Sequence, residues 1–262
     1  LDVLFASLPT GASAEALARV PKDVKIVDIG GDHRHVDGWA YGLADVWPEE
    51  IKGRTRVANP GCFPAATLNA LAPLLAEKLI APGDIVIDAK TGISGAGRGG
   101  ADSRFGYAES NENLAPYGLL KHVHMPEMAK TIERLSGGSA AGLVFTPHLV
   151  PMTRGELVTI YANLTEGQTV ENAHAALSSR YADEAFVNVR PLGSLPPDTR
   201  HVRGTNRCEI SVHSDRVEGR IIVVGVIDNL TKGSAGQALQ NINLMFGFEE
   251  GEGLSILQPL FP

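Results

Sequence analysis

Residues 59–64, which read Asn-Pro-Gly-Cys-Phe-Pro, place a cysteine among neighbours that favour covalent chemistry. Pro60 disfavours a helical conformation at the residue before it, and a proline soon after Cys62 fits a first helical turn, so a helix is predicted to begin at Cys62. The unpaired N–H groups and dipole of such a helix stabilise negative charge, so we expect a lowered thiol pKa and a nucleophilic sulfur. The alternative is a buried cysteine that packs as a small apolar side chain.

The second cysteine, Cys208, has the pattern of a structural residue. It alternates with Ile210 and Val212 along a predicted strand. Alternate side chains share one face of a strand, so we predict that the three point together into a core.

Two His-x-His pairs, His33/His35 and His122/His124, are candidates for proton transfer or metal binding. His124 directly precedes a predicted helix, and Glu127 follows closely enough to orient its imidazole, so we predict His124 as acid and base with Glu127 as its partner. A zinc hydrolase is the alternative interpretation of the pairs. Because no regular pattern supplies the third and fourth ligands, we expect no metal.

A glycine-rich segment at residues 91–100 has the GxGxxG spacing of dinucleotide-binding turns, at Gly95, Gly97 and Gly100. The residues that follow lack the apolar period of the helix that such a turn requires, so we reject that interpretation. A flexible loop remains, whose N–H groups and Arg98 could line an anion or a cofactor. A plain surface loop fits the composition equally well.

Composition limits the class of protein. The chain has 262 residues, of which 44% are hydrophobic, enough for one large domain or two smaller ones. Its 23 basic and 30 acidic residues give a net charge of −7 without a basic run, which argues against a nucleic-acid partner. Two cysteines cannot form a disulfide framework, so a reducing, cytoplasmic location is expected. The longest apolar run, residues 221–227, is too short to cross a membrane.

The elements that position these residues begin with a predicted strand at residues 1–6, a helix starting near Ser13 and a strand at residues 24–29. Strand, helix and strand at this spacing predict a unit of a parallel sheet in an α/β fold. The chain starts inside a strand without Met, so we expect the natural protein to continue upstream.

The remaining elements follow from hydrophobic periodicity. Residues 30–53 are predicted to be a loop, and the last helix is predicted to bury one apolar face. The predicted elements are strands at 84–90, 142–150, 155–164, 186–192, 208–213 and 220–228, helices from Cys62, at 125–135 and at 169–182, and a closing helix with Ala235, Leu239, Ile242 and Phe246 on its buried face.

Several segments together resemble the N-acetyl-gamma-glutamyl-phosphate reductase family, within the semialdehyde dehydrogenase superfamily. The segments are Asn-Pro-Gly-Cys-Phe-Pro at 59–64, Asp-Ala-Lys-Thr-Gly-Ile-Ser-Gly-Ala-Gly-Arg at 88–98, His-Val-His-Met-Pro-Glu at 122–127, Thr-Pro-His-Leu-Val-Pro-Met-Thr-Arg-Gly at 146–155, Val-Arg-Gly-Thr-Asn at 202–206 and Asp-Asn-Leu-Thr-Lys-Gly-Ser-Ala-Gly-Gln-Ala at 228–238. Phe63 stands where the family usually has Tyr, and Asp32-His33-Arg34 where it usually has Asp-Phe-Arg. The family's N-terminal phosphate-binding glycine turn has no counterpart here.

The resemblance implies a two-domain architecture. Residues 1–61 and 230–262 would be part of a Rossmann-type NADP-binding domain. Residues 62–229 would form an α+β catalytic and oligomerisation domain of the semialdehyde dehydrogenase type, assembling into a homodimer or homotetramer.

The resemblance also implies a reaction in arginine biosynthesis. Cys62 would attack the acyl phosphate of N-acetyl-gamma-glutamyl phosphate, phosphate would leave, and NADPH would reduce the resulting thioester to N-acetylglutamate 5-semialdehyde. His124 would transfer protons, with Glu127 beside it. The implied substrate-binding residues are Arg98, Arg154 and Arg203, and the implied NADP(H)-binding residues are Pro9, Ser94, Gly95, Gly97 and Asn229.

Two further alternatives stay open from the sequence. One is a sister reductase that acts on a carrier-protein-linked aminoadipyl or glutamyl phosphate, or on aspartyl phosphate. The other is a non-catalytic fragment that serves as a folded substrate-binding or oligomerisation domain.

Overall fold

Two β-sheets organise the computed structural model, which describes residues 1–97 and 106–255. The smaller sheet is parallel and has the strand order β1-β2-β4-β3, formed by β1 (Val3–Ala6), β2 (Lys25–Asp28), β3 (Ala40–Tyr41) and β4 (Arg56–Ala58). Helix α1 (Ser13–Leu17) joins β1 to β2, which confirms the predicted strand–helix–strand unit. Because the strands are parallel, their carboxyl ends meet at one edge, and the loops that follow them lie there together.

Residues 30–53 were predicted to be a loop, but they are not entirely loop. They contain β3 and the helix α2 (Pro48–Ile51), which are only two and four residues long. Elements of two and four residues are too short to show a hydrophobic period, so the sequence pattern did not reveal them. Strand β3 exists because it pairs with β4, a contact that the residues of β3 alone do not reveal.

The larger sheet is mixed and has seven strands in the order β6-β7-β5-β8-β11-β10-β9. Its centre, from β5 through β8 and β11 to β10, is antiparallel. The predicted strands of the second half of the chain are all present, which confirms those predictions. The strands are β5 (Val86–Thr91), β6 (Ala115–Pro116), β7 (Val144–Leu149), β8 (Glu156–Asn163), β9 (Val187–Val189), β10 (Cys208–Ser214) and β11 (Arg220–Ile227).

The main core lies between the larger sheet and the helix α3 (Cys62–Ala76). Every residue of α3 from Phe63 to Leu75 is buried, so the helix has no solvent face, as expected for one that is apolar on all sides. Cys208, Ile210 and Val212 all lie in this core, which confirms their predicted direction.

The other helices are α4 (Tyr107–Ser110), α5 (His124–Ser136), α6 (Val170–Arg180) and α7 (Gly236–Phe246). Helices α5 and α6 pack against α3. No helix in the described part of the chain is both long and apolar enough to cross a membrane.

Helix α7 buries its amide-bearing side more fully than the predicted apolar face, of which Ile242 and Phe246 are partly buried against the core. Ala235 is exposed and belongs to a π-helical turn before α7. The buried side contains amides whose nitrogens are hydrogen-bonded: Gln237 and Asn241 both donate to the carbonyl of Gly42, and Asn241 also donates to Asn59 Oδ1 at 3.0 Å. Buried amides are tolerated when they are hydrogen-bonded, so an apolar period did not identify this face. The buried residues are Gly236, Gln237, Ala238, Gln240, Asn241, Asn243, Leu244 and Met245.

Candidate active site

Cys62 is the first residue of α3, as predicted, and Gly61 caps the helix in an extended conformation. Strand β4 ends at Ala58, only a few residues earlier. The chain therefore leaves the carboxyl edge of the parallel sheet and immediately enters the helix that covers the larger sheet. Cys62 lies at this junction, where its sulfur can be reached by residues of both sheets.

The imidazole of His124 packs directly on the backbone next to Cys62. A Cβ placed on Gly61 would lie 2.3 Å from His124 Nε2, so the ring occupies the space that any other residue at position 61 would need. His124 is the first residue of α5, and its Nδ1 is buried without a hydrogen-bond partner. The structure thus brings His124 beside the cysteine, which is the arrangement that proton transfer needs.

Glu127 does not orient His124, in contrast to the expectation from the sequence. Its Oε1 accepts hydrogen bonds from the Gly61 N–H at 3.0 Å and the Tyr41 hydroxyl at 2.7 Å, and its Oε2 accepts one from Arg34 Nη1 at 2.7 Å. All three donors belong to the parallel sheet or to the loops at its edge, and together they engage both carboxylate oxygens of Glu127. Glu127 therefore holds the backbone just before Cys62.

Arg34 is a site residue that the sequence reasoning did not single out. It donates from Nε to the Asn59 carbonyl at 2.9 Å and from Nη2 to the Ile29 carbonyl at 3.0 Å, besides its bond to Glu127. Its side chain is 10% exposed, so the ion pair with Glu127 is largely desolvated. The sequence did contain a signal for Arg34, because the triplet Asp32-His33-Arg34 corresponds to a segment of the family that the chain resembles. Arg34 and Glu127 together fix the segment that leads into α3.

The electrostatics at Cys62 differ from the prediction. Burial raises the thiol pKa well above its ordinary value, and the negative charge of Glu156 raises it further. The Phe63 N–H and Arg34 act in the opposite direction but do not prevail. Part of the Cys62 surface reaches solvent, yet protein atoms surround the sulfur closely enough for desolvation to dominate. The expected lowering by the helix N-terminus is therefore overridden, because the site is dry.

His124 is also kept neutral. Burial lowers its pKa well below the ordinary value, and the charges of His122 and Arg34 lower it further. A thiol with a raised pKa and an imidazole with a lowered one do not form a resting ion pair. The nucleophile must lose its proton during the reaction.

Glu156 was missed by the sequence reasoning although a signal was present. It begins β8, and along β8 the buried residues alternate as Glu156, Val158, Ile160 and Ala162. A carboxylate in that series must point to the core. Burial raises its pKa to about 8, although its contacts with Cys62 and Thr91 act to lower it.

The three arginines predicted to bind substrate differ in their surroundings. Arg98 lies outside the described residues. Arg154 donates from Nε and Nη2 to the buried carboxylate of Asp228, at 2.7 and 2.9 Å, so it could offer a substrate only its remaining nitrogen. Arg203 is half-buried next to Gly204, whose N–H also donates to Asp228. Asp228 thus draws the two loops together.

The predicted cofactor residues fall into two groups. Ser94 and Asn229 are joined, because Asn229 Nδ2 donates to Ser94 Oγ at 3.0 Å while Asn229 Oδ1 accepts from the Gly155 N–H at 2.7 Å. Gly95 and Gly97 lie in and after the 3₁₀ turn Ile93–Ala96, which follows β5 directly. Pro9 belongs to the other group, in an exposed turn after β1 at the carboxyl edge of the parallel sheet.

The two histidine pairs differ in geometry: the rings of His122 and His124 lie 4.8 Å apart edge to face, whereas His33 and His35 face separate partners. His33 contacts Asp28 at 2.6 Å and stacks on Trp39, whereas His35 stacks on Tyr41. In the described part of the chain, one group of three acidic, His or Cys side chains lies close enough to share an ion, namely Asp45, Glu184 and Glu250. The buried ammonium of Lys232 already pairs with Asp45, which disfavours a cation there.

Comparison with known proteins identifies the family. A family model described as the semialdehyde dehydrogenase dimerisation domain matches residues 62–229. An N-acetyl-gamma-glutamyl-phosphate reductase of a Methylobacterium species is 67% identical over 264 residues, covering 100% of this chain and 79% of that protein.

Solved structures confirm the predicted α/β fold class. Aspartate semialdehyde dehydrogenase II of Vibrio cholerae, complexed with ASA, matches with a TM-score of 0.75 at 18% identity, covering 94% of this chain and 80% of that one. The Candida albicans enzyme with NADP matches with a TM-score of 0.68 at 15% identity, covering 94% and 77%. At these identities the likeness shows the fold alone. The sequence relatives and the family model show more: the chain belongs to the N-acetyl-gamma-glutamyl-phosphate reductase family of semialdehyde dehydrogenases.

Proposed function

We propose that this protein catalyses the NADPH-dependent reduction of N-acetyl-gamma-glutamyl phosphate to N-acetylglutamate 5-semialdehyde and phosphate, a step of arginine biosynthesis. The observation that carries the proposal is the placement of Cys62 at the start of α3 with the His124 imidazole packed on Gly61. The names of the sequence relatives favour this substrate over aspartyl or carrier-protein-linked phosphates.

The first chemical step is attack by the Cys62 sulfur on the acyl carbon. The thiol proton passes to a base of the site, the electron pair of the S–H bond forms the S–C bond, and phosphate leaves with the electron pair of the C–O bond. The unpaired N–H groups at the start of α3 would stabilise the negative charge that develops on the acyl oxygen. A thioester on Cys62 results, and one difficult step is divided into two.

Proton transfer at the substrate falls to His124. Its neutral imidazole can accept a proton and return it, which is the requirement for a general acid and base. Arg34 and Glu127 hold residues 59–61, so that the sulfur and the imidazole keep their relative positions.

The residues present fit a nucleotide cofactor. Dinucleotides bind at the carboxyl edge of a parallel sheet, and here a cleft at that edge is lined by Thr10, Gly31, Arg34 and Lys130 and reaches Glu127. A Cβ on Gly31 would lie 2.9 Å from Thr10 Oγ1, so these two loops are in close contact at the edge. When bound, NADPH would supply the hydride that reduces the thioester. The residues proposed to hold it are Pro9, Ser94, Gly95, Gly97 and Asn229.

Several assignments complete the proposal. Residues 62–229 would be the catalytic and oligomerisation domain, and residues 1–61 and 230–262 the nucleotide-binding part. The matching family model is described as a dimerisation domain, which supports association of copies of this chain; a homodimer or homotetramer stays a prediction. Arg203 and Arg98, with the remaining nitrogen of Arg154, are the proposed ligands of the substrate's phosphate and carboxylate. The cytoplasmic location stays a prediction.

Turnover measured with matched acyl phosphates tests the function. The protein is supplied with N-acetylglutamyl phosphate or aspartyl phosphate, and NADPH oxidation and phosphate release are followed together. We expect equimolar oxidation and release with N-acetylglutamyl phosphate only. Equal or faster turnover of aspartyl phosphate would refute the substrate assignment, and phosphate release without NADPH oxidation would refute the reductase assignment.

A further inference from the structure

Glu156 is a buried acidic residue at the active site that the mechanism above does not use. Its side chain is 0% exposed. Because it alternates with Val158, Ile160 and Ala162 along β8, it lies on the side of the sheet that α3 covers. Its carboxyl group therefore points toward the helix that begins at Cys62.

Two side chains lie next to the carboxyl group. Glu156 is paired with Thr91 in β5, and both the Thr91 hydroxyl and the Cys62 thiol are close enough to influence its ionisation. Neither carboxylate oxygen forms a hydrogen bond of good geometry, and the same is true of Thr91 Oγ1. Ile227 pairs with Glu156 across β8 and β11, and a Cβ placed on Gly233 would lie 3.2 Å from Ile227 Cδ1 and 2.7 Å from Cys62 Cβ. The carboxyl group therefore faces the start of α3, and its hydrogen-bonding capacity is unfilled.

A buried carboxyl with both oxygens unfilled is costly to keep, and such groups are concentrated where proteins do chemistry. The apolar alternation of β8 would be satisfied by an aliphatic residue at position 156. The presence of a carboxyl group at position 156 therefore indicates a chemical role rather than a packing role.

The charges around Glu156 are few. Asp228 raises its pKa, and Arg154 pairs with Asp228 on the other side. Burial and the charges of Cys62 and Glu156 raise the pKa of Tyr117, and the positive charge of Arg34 acts to lower the pKa of Cys62. Burial is the largest cause of the Glu156 pKa of about 8, which lies near the working range of a general acid and base.

We propose that Glu156 is the catalytic residue that accepts the thiol proton of Cys62 during attack and returns it when the aldehyde leaves. In the forward step the S–H bond breaks, its electron pair forms the S–C bond, and the proton moves to a carboxylate oxygen of Glu156. On product release the C–S bond breaks, its electron pair returns to sulfur, and the proton returns from the carboxyl group. This assignment rests on the proposed function and leaves His124 free to serve the substrate oxygen.

Alkylation of Cys62 by iodoacetamide tests the coupling without substrate or cofactor. In a Cys208→Ser background, the rate should rise with pH and then flatten above about pH 8, because ionised Glu156 opposes formation of the thiolate. In Glu156→Gln the rate should keep rising and exceed that of the parent at high pH. A flattening that persists in Glu156→Gln would overturn the proposal.

Turnover supplies the second readout. Loss of a general base lowers kcat by roughly 10²-fold or more, so above about pH 8 Glu156→Gln should react faster with iodoacetamide yet turn over more slowly. A purely structural role would not move the two readouts in opposite directions. Glu218→Gln removes an exposed carboxylate and should match the parent in both assays. A kcat of Glu156→Gln equal to that of the parent would refute the catalytic role.

A second variant covers the possibility that Glu156→Gln folds poorly. Thr91 lowers the Glu156 pKa, so Thr91→Val should move the flattening to higher pH, and an unmoved profile would count against the proposal. If the parent protein shows no turnover with N-acetylglutamyl phosphate, the proposed function fails, while the alkylation profiles still decide whether Glu156 and Cys62 share a proton.

Discussion

Replacement of Gly61 by alanine should disable the site through a single steric contact. The backbone at Gly61, with φ −68° and ψ 163°, is open to any residue, so no backbone strain is involved. The added Cβ would lie 2.3 Å from His124 Nε2 and 2.7 Å from Cε1. Carbon contacts settle at about 3.5–4.0 Å, so the imidazole must move by roughly 1 Å.

The expected cost follows from that displacement. A misplacement of about 1 Å can lower turnover by roughly 10²-fold, and overpacking a tight site costs about 1–3 kcal/mol in the free energy of unfolding. Steady-state kcat and urea unfolding measure the two effects. Gly83→Ala is the matched control, because its nearest neighbour to a new Cβ is 3.9 Å away.

A double-mutant cycle identifies the cause. In a His124→Ala background the ring is gone, so Gly61→Ala should cost almost nothing in the free energy of unfolding. If Gly61→Ala were equally destabilising in both backgrounds, or if it kept kcat within about twofold of the parent, the imidazole would not lie where we place it, or its position would not matter.

Three further predictions address single groups. Cys62→Ser should lose nearly all turnover while remaining folded, because a hydroxyl is much harder to deprotonate than a thiol, whereas Cys208→Ser should change only stability; a kcat of Cys62→Ser within about tenfold of the parent would contradict the nucleophile assignment. His124→Gln should lower kcat by roughly 10²- to 10⁴-fold and His122→Gln much less, and the reverse order would show that the other ring transfers the proton. Glu156 loses its proton near pH 4.5 when unfolded but near pH 8 when folded, so between these values rising pH lowers the free energy of unfolding. Burial lowers the pKa of His122 to about 4, so below pH 6.5 this residue changes the free energy of unfolding in the opposite direction. The measurement is therefore the difference in urea unfolding between the parent and Glu156→Gln, and the variant should gain relative stability as pH rises from 4.5 to 8. A constant difference would contradict the raised pKa of Glu156.

Local rules in the sequence determined where the main elements begin and what the cysteines do. The prolines around Cys62 restrict a few neighbouring dihedral angles, so the start of α3 could be read directly. Alternation along β10 likewise showed that Cys208 faces the core. These predictions held because each depends on residues only a few positions apart.

The same rules failed where burial is shared between distant segments. Strand β3 forms only because β4 lies beside it, and the amide-rich face of α7 is buried only because Gly42 and Asn59 receive its hydrogen bonds. An apolar period cannot reveal a face that is satisfied by polar contacts.

The chemistry of the site was decided by tertiary structure. Glu127 meets Arg34 across 93 positions of sequence, so its role as an anchor for Gly61 was not visible in its own helix. The sign of the Cys62 pKa shift depends on how dry the site is and on the charge of Glu156, and neither is encoded near Cys62. Sequence placed the nucleophile at a helix start, but desolvation and long-range contacts set its protonation, because electrostatic energies depend on distances in space and on exclusion of water.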